Sequence, residues 1–443
     1  MKRKLPLALL ALATAVGLGA LPLQAAAGQP APPAYIAYDA QPLAGTSAGA
    51  NGISNLGWAS GTSTVASGDT HAALWSPGNV TDLGTLGGAS SGVEWPVKNN
   101  HGVIVGISET NAVDPLAEQG FSCGAFLDMH GHTCLPFLWS NGTLTPLPLL
   151  GGNNGFATGI SNAGLAVGWA ETAVHDPTCV APQVLQFEAV EWGPSAGAKR
   201  VLAPLPGDST SAATAINDAG EVVGISGDCG VAVGAFSARH SVLWLNGHPV
   251  RLPTLGGQGW NTPMAINSLG TVVGFSDTPG DVVNGQLTPN FQAFVWDPVN
   301  GIHQLPTYPG DVLSEATGIN DFGQIVGTSF PAAGGSRLVL WQNGKVYDLN
   351  QLLPADSPLL AQASGDINDH GEITGFACVV SGNVCGNEVH AFVAILAPGS
   401  GQDAESRAGA ERHVLVPPQL QARMRQMLRF GRMPSHLQPN PQP

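Results

Sequence analysis

One phrase recurs seven times along this chain, and it constrains the fold more than any other feature. Its clearest copy is Ile216-Asn217-Asp218-Ala219-Gly220-Glu221-Val222-Val223-Gly224. Other copies run over 53–61, 98–106, 160–168, 266–274, 319–327 and 367–375. Their closing glycines (61, 106, 168, 224, 274, 327, 375) are separated by 45, 62, 56, 50, 53 and 48 residues. Periods of this size mark propellers, solenoids or arrays, in which a unit buries its apolar face only against its neighbours.

Within one unit the pattern reads as four short strands. In 213–257 a run of small and β-branched residues leads into the turn Asn217-Asp218-Ala219-Gly220, and Glu221 to Ile225 returns as a second strand. Asn and Asp bond locally in such turns, and Gly accepts positive φ. After a loop of variable length, His240 to Trp244 forms a third strand. Asn246-Gly247 is a hairpin signal, and Pro249 to Leu255 a fourth strand ending at Gly256-Gly257. Four antiparallel strands per unit is the content of a propeller blade.

The third strand repeats its tryptophan at Trp75, Trp139, Trp192, Trp244, Trp296 and Trp341. Six indoles in one register could form platforms for sugars or bases, but a repeated large apolar residue is first of all inter-blade packing. The seventh unit departs: Ala394 stands in the tryptophan position and no fourth strand follows. At the other end, residues 35–43 resemble a fourth strand without a blade of its own. An open ring would leave two unpaired strand edges. The expectation is therefore an all-β, seven-bladed propeller over 35–396, closed by the N-terminal strand completing the last blade.

The motif His390-Ala391-Phe392, its variants at 71–73 and 292–294, Leu-Gly-Thr-Leu-Gly-Gly at 83–88 and the Ile-Asn-Asp phrase together resemble the HAF repeat family of extracellular bacterial proteins. The likeness covers essentially all of 35–396. Leu135 and Arg337 replace the histidine in two units, and the third reads Glu188-Ala189-Val190-Glu191-Trp192. The resemblance implies secretion and a repeat architecture; it implies no activity, cofactor or catalytic residue.

Residues 1–27 read as a secretory signal. Lys2, Arg3 and Lys4 precede an apolar run from Leu5 to Leu23, and Ala25-Ala26-Ala27 offers a cleavage site. Residues 28–34 are a linker, and no later segment has the ~20 apolar residues of a spanning helix. Between the signal and residue 397 the chain carries 28 acidic and seven basic residues. Such a body repels phosphate backbones, which argues against nucleic acid as a partner.

Six cysteines in an exported chain suggest disulfides. Six allow fifteen pairings. Cys123 with Cys134 and Cys378 with Cys385 are close in sequence, which leaves Cys179 and Cys229 in equivalent parts of consecutive repeats. All six lie in the loops between second and third strands, which vary most in length. In a propeller these loops share one face with the inter-blade connections, and this loop face is the expected binding side.

Asp128, His130 and His132 are the best metal candidates, to which His101, His175 and Asp176 could add ligands. The Asn-Asp-x-Gly turns lack the spaced carboxylates of a calcium hand. No His-Glu-x-x-His or phosphate-cradling glycine loop occurs, and no cofactor is expected.

The tail, 397–443, begins as a flexible linker, and its Leu420, Met424, Met427 and Leu428 fall on one face of a possible helix over 419–432. With Arg423, Arg425, Arg429 and Arg432 it is basic, suited to an anionic surface or to the acidic propeller itself. The functional expectation is a non-catalytic binding or scaffold protein for an extracellular glycan or protein. The alternative is a carbohydrate-active hydrolase or lyase using acidic residues of the same face.

Overall fold

In the computed structural model the described residues are 32–118, 123–127, 130–230, 238–283, 286–288, 290–398, 414–417 and 419–421. The expected signal segment and most of the basic tail lie outside them. Seven four-stranded antiparallel sheets stand in sequence order. They span 48–82, 87–146, 151–202, 210–251, 261–304, 311–348 and 359–396, the last joined by Tyr35–Ala40. We call them blades 1 to 7. The second strands of blades 2 and 3 are longer than the repeat implies, running Ile104–Val113 and Ala166–His175 out into the loops.

The N-terminal strand does complete blade 7. It pairs antiparallel with Val384–Leu396, from Tyr35 opposite Leu396 to Ala40 opposite Ala391. Asp39 lies opposite Phe392 and bonds Nδ1 of His390 at 2.8 Å. In blade 1, Asp82 lies opposite Ala73 and bonds Nδ1 of His71 at 2.9 Å. In blade 6, Asp348 lies opposite Val339 and meets Arg337 at 3.3 Å. An acid on the fourth strand thus grips the first residue of the third-strand motif in all three blades, and Asp39 fills that role from the far end of the chain. Burial alone would lower the His390 pKa, but the bond and charge of Asp39, with Glu388 beside it, outweigh this and raise it.

The seven marker glycines have one steric cause. In every blade a Cβ on that glycine would overlap a carbonyl of the first strand: Gly49 against Gly61, Ala212 against Gly224, Glu315 against Gly327, and so on. In six of the seven blades the first strand changes register with the second beside this point, as between Ala213 and Ala215 opposite Gly224. The bulge bends the innermost strand and forces the two backbones together, and only glycine admits that approach.

Trp75, Trp192, Trp244 and Trp341 are at most 5 % exposed. Each indole N–H donates to a main-chain carbonyl beyond the previous blade's outer strand: Gln41, Pro148, Ala203 and Pro306. Trp139 and Trp296 are half-buried at the same position. Where blade 7 has Ala394, Tyr35 and the one-turn helix Leu349–Leu352 fill the gap against blade 6.

The repeated Asn-Asp turn is more than a turn. Asn217 Oδ1 accepts the amides of Ala219 and Glu221, while its Nδ2 donates to the Asn267 carbonyl of the next blade at 3.0 Å. Asn99, Asn267, Asn320 and Asn368 make the same inter-blade bond, the last to Ser54 across the seam between blades 7 and 1. The following residue adds a second belt. The amide of Asn55 donates to Asn100, Asn100 to Asn162, Asn162 to Asp218, Ser268 to Asp321, Asp321 to Asp369 and Asp369 back to Asn55, all at 2.7–3.0 Å.

Replacing Asn368 by Ala removes its bond to the Ser54 carbonyl across the seam and strands the turn amides of His370 and Glu372. Stability should fall by about 1–3 kcal/mol in equilibrium urea unfolding. Leu269→Ala, at a 71 % exposed turn position, should stay within about 0.5 kcal/mol of the parent. Equal effects would refute the role of the belt.

Candidate functional site

The axis is closed differently at its two ends. On the turn face the seven turns surround a cavity of about 90 Å³. The unusual member of its lining is Lys98, which stands where most repeats have isoleucine. Its ammonium donates to the Ile319 carbonyl of blade 6 and lies 3.0 Å from Asp366 Oδ1 of blade 7. Asp366 has no exposed side-chain surface. Burial pushes its pKa up to about 6, with Lys98 opposing that rise. Lys98, half-buried itself, therefore spans from blade 2 to the far side of the ring and satisfies a carboxylate that has no exposed surface, an arrangement costly to break by removing the lysine alone. The polar groups of this mouth (Asn55, Asn100, Asn162, Asp218, Asp321, Asp369) already serve one another in the belt, so the mouth reads as a structural closure.

On the loop face, aromatic rings from blades 2, 3, 5 and 6 fill the axis. Phe126, Phe156 and Trp169 meet at centroid distances of 4.9 and 4.9 Å, with Trp95 at 6.1 Å from Trp169. Phe275, Phe291 and Phe330 continue the cluster at 5.3 and 6.2 Å. Edge-to-face contacts at these spacings are favourable, and the plug gives the loops a solid floor.

Three disulfides tie these loops down. Cys123 bonds Cys134, Cys378 bonds Cys385, and Cys179 bonds Cys229, with Cα separations of 5.4, 5.6 and 4.5 Å. The third joins blades 3 and 4. Thr178 stands beside it, linking Asp176 Oδ1 at 2.7 Å, Ser209 at 3.0 Å and the Cys229 amide at 2.9 Å.

Of the expected metal ligands, Asp128 lies outside the described residues. His130 and His132 come together on a residue the sequence did not single out. Each donates through Nδ1 to one oxygen of Glu109 at 3.1 Å, and Glu109 also accepts the Ala89 amide. His130 Nε2 reaches 3.8 Å from Asp69 of blade 1. His101 is removed to the opposite face, because it is the third residue of the turn Asn99-Asn100-His101-Gly102. Among the described residues, the one set of three His, Cys, Asp or Glu ligand atoms within 4.8 Å is Asp176, Cys179 and Cys229. Both of those sulfurs are committed to their disulfide.

Glu109 belongs to a series. Glu109 and Glu171 in their second strands, and Asp277 just after its own, each stand beside the second glycine of a Gly-Gly pair (88, 152 and 257), where a Cβ would strike the acid's own backbone or side chain. Glu171 accepts the amides of Asn153 and Asn154. Gln183 Nε2 lies between Glu171, at 3.2 Å, and Glu118, at 3.4 Å. Glu118 comes from the blade 2 loop and itself accepts the amides of Val184 and Leu185. Asn154 bridges Glu171 to Asp114 at 3.3 Å. Burial, then the charge of Glu118, pushes the Glu171 pKa up to about 7. Burial likewise raises Asp277, next to Asp281, to about 7, and Glu315 to about 8.

These acids can hold protons near neutral pH, yet Glu118 and Glu171 have no exposed surface; Glu171 accepts loop amides and side-chain amides on both oxygens, and Glu118 accepts two loop amides on Oε1. They stitch loops together and present no carboxylate pair to a substrate. Gly-x-Ser-x-Gly occurs at 45–49, 88–92, 120–124 and 193–197. Ser47 and Ser90 are buried where first strands open, Ser122 lies outside the described residues, and Ser195 sits in the exposed turn between the third and fourth strands of blade 3, so none of the described serines occupies a nucleophile elbow.

Glu171 carries a pH prediction. Its pKa in the fold (about 7) exceeds the ordinary 4.5, so its stabilising protonated form is full below about pH 4.5. That contribution is lost as pH rises toward 7. Asp277, Glu315 and the raised His390 act in the same direction. Glu171→Gln should gain stability at pH 8, on the order of 2 kcal/mol, and flatten the rise between pH 8 and 5.5 in urea midpoints. A variant keeping the full slope would overturn the assignment.

No family model matches this chain, and no curated protein does. Solved structures resemble it weakly. An acylaminoacyl peptidase from Pyrococcus horikoshii is 12% identical with a TM-score of 0.42, matching 77% of this chain and 49% of its own. The chain thus spans about half of that enzyme's length. TolB from Acinetobacter baumannii is 12% identical with a TM-score of 0.38, over 77% and 79% of the two chains. A mutant of Aleuria aurantia lectin, in complex with alpha-methyl-L-fucoside, is 10% identical with a TM-score of 0.31, over 83% and 98%.

Proposed function

We propose that this chain is an exported, non-catalytic propeller of the HAF repeat kind, whose disulfide-stapled loop face holds a glycan or protein ligand outside the cytoplasm. The observation that carries this reading is the Cys179–Cys229 bond between blades 3 and 4, set over an aromatic floor. Such a bond persists in oxidising compartments. It spends covalent chemistry on keeping two loops in fixed relation, as a preorganised binding surface requires. The same face offers apolar contact surface at Val113, Val174 and Val180, which are 73, 54 and 53 % exposed. The hydrolase alternative needs two carboxylates open to one pocket, and no observation on this face favours it.

The purified chain should select a ligand from a glycan and peptide panel. Val174→Asp with Val180→Asp should weaken that binding at least tenfold, while Leu269→Asp with Phe322→Asp on the turn face should leave it unchanged. The opposite pattern would move the site to the turn face. Cys179→Ser with Cys229→Ser should cost about 2–4 kcal/mol of stability.

A further inference from the structure

The tail returns to the propeller after leaving it. Between Pro398 and Val414 lie fifteen residues of sequence. Leu415 then forms a parallel bridge with Val384 at the tip of the blade 7 hairpin. Its amide donates to the Asn383 carbonyl at 2.8 Å, and its carbonyl accepts the Cys385 amide at 3.0 Å. Val414 and Val416 face the blade, whereas Leu415 between them is 66 % exposed, the alternation of an added strand. Beyond Pro417 the chain turns into a helical start, with the Gln421 amide bonded to the Pro417 carbonyl. There Leu420 is only 3 % exposed, seated among Leu360, Phe376, Val389 and the Cys378–Cys385 disulfide.

We propose that blade 7 carries a peptide-docking groove for extended aliphatic segments of the pattern Val-x-Val-Pro-Pro-x-Leu, and that residues 414–421 are its resident ligand in cis. Strand addition at a hairpin edge supplies main-chain bonds of any sequence, and specificity comes from pockets for alternate side chains. Here both are present: the Asn383 and Cys385 main-chain groups, and a buried seat for Leu420. The disulfide closes the hairpin whose tip makes those bonds, so the edge is held ready for its strand. A partner bearing the same pattern would bind by displacing the tail, which makes the segment a removable cover. This inference rests on the loop face being the binding side and names one class of ligand for it.

The probe is a fluorescent peptide of residues 414–421 added to the full chain. The parent should bind it weakly, because its own copy occupies the groove. Leu420→Asp in the full chain should release the tail and bind the peptide at least tenfold more tightly. The same peptide carrying the aspartate should bind neither protein, and Leu415→Asp in the chain, altering an exposed side chain, should behave as the parent. Amide exchange supplies a readout independent of that variant: Leu415 and Cys385 should be protected in the parent. Equal peptide binding by parent and Leu420→Asp, or unprotected amides, would overturn the proposal, as would a concentration-dependent dimer exchanging tails. If it fails, the glycan and peptide panel can still return a ligand lost with Val174→Asp and Val180→Asp, so the two readings fall separately.

Discussion

The fold depends on hydrogen bonds passed from one blade's turn to the next around the axis. The asparagine side-chain amides that link these turns are buried beside the axis, and an orphaned group there costs about 1–3 kcal/mol. Each turn solves this by borrowing an acceptor from its neighbour, so no turn is complete until the next blade is in place. Such a chain of obligations has two dissatisfied ends unless it is circular. Asp369 donating to Asn55, and Asn368 to Ser54, make it circular. The sheet seam obeys the same logic one layer out, where Asp39 takes the place that Asp82 and Asp348 hold in ordinary blades.

Much of this was legible from residues alone because its causes are local. Asn-Asp-x-Gly encodes a turn by itself, the tryptophans recur in one register, and the missing seventh fourth strand matches the surplus strand at 35–43. What stayed hidden depends on residues far apart in the chain. Lys98 and Asp366 meet across 268 positions of sequence, and Glu118 meets Glu171 only because two loops of different blades fold over each other. Some traces were there to be read. Lysine in an isoleucine position is one, and another is the acid that recurs three residues after the marker glycine at 109, 171 and 277. The marker glycine was visible as a pattern, but its cause, a bulge in the strand beside it, is a property of paired backbones and leaves no mark of its own.

The two faces divide the labour. Turn-face residues are committed to holding the ring, down to the lysine that crosses it, and little of their hydrogen-bonding capacity is left over. The loop face is fastened by several chemistries: three disulfides in blade 2, between blades 3 and 4, and in blade 7, a carboxylate and amide lattice between blades 2 and 3, and two histidines on one glutamate in blade 2. Two of the disulfides pack on the aromatic floor, while Cys378–Cys385 belongs to a separate cluster of blade 7. Variation of means with constancy of effect suits a surface that is rigid as a whole and particular in detail.

The amide of Ala397 donates to the carbonyl of Ala34 at 2.8 Å, so the ends of the ring touch. Topologically the seam is then an arbitrary cut, and the two ends could be spliced by a few residues while new ones open at another inter-blade connection. Circular permutants should differ from the parent mainly in folding order, and the permutants that fold poorly would reveal which blade must form first.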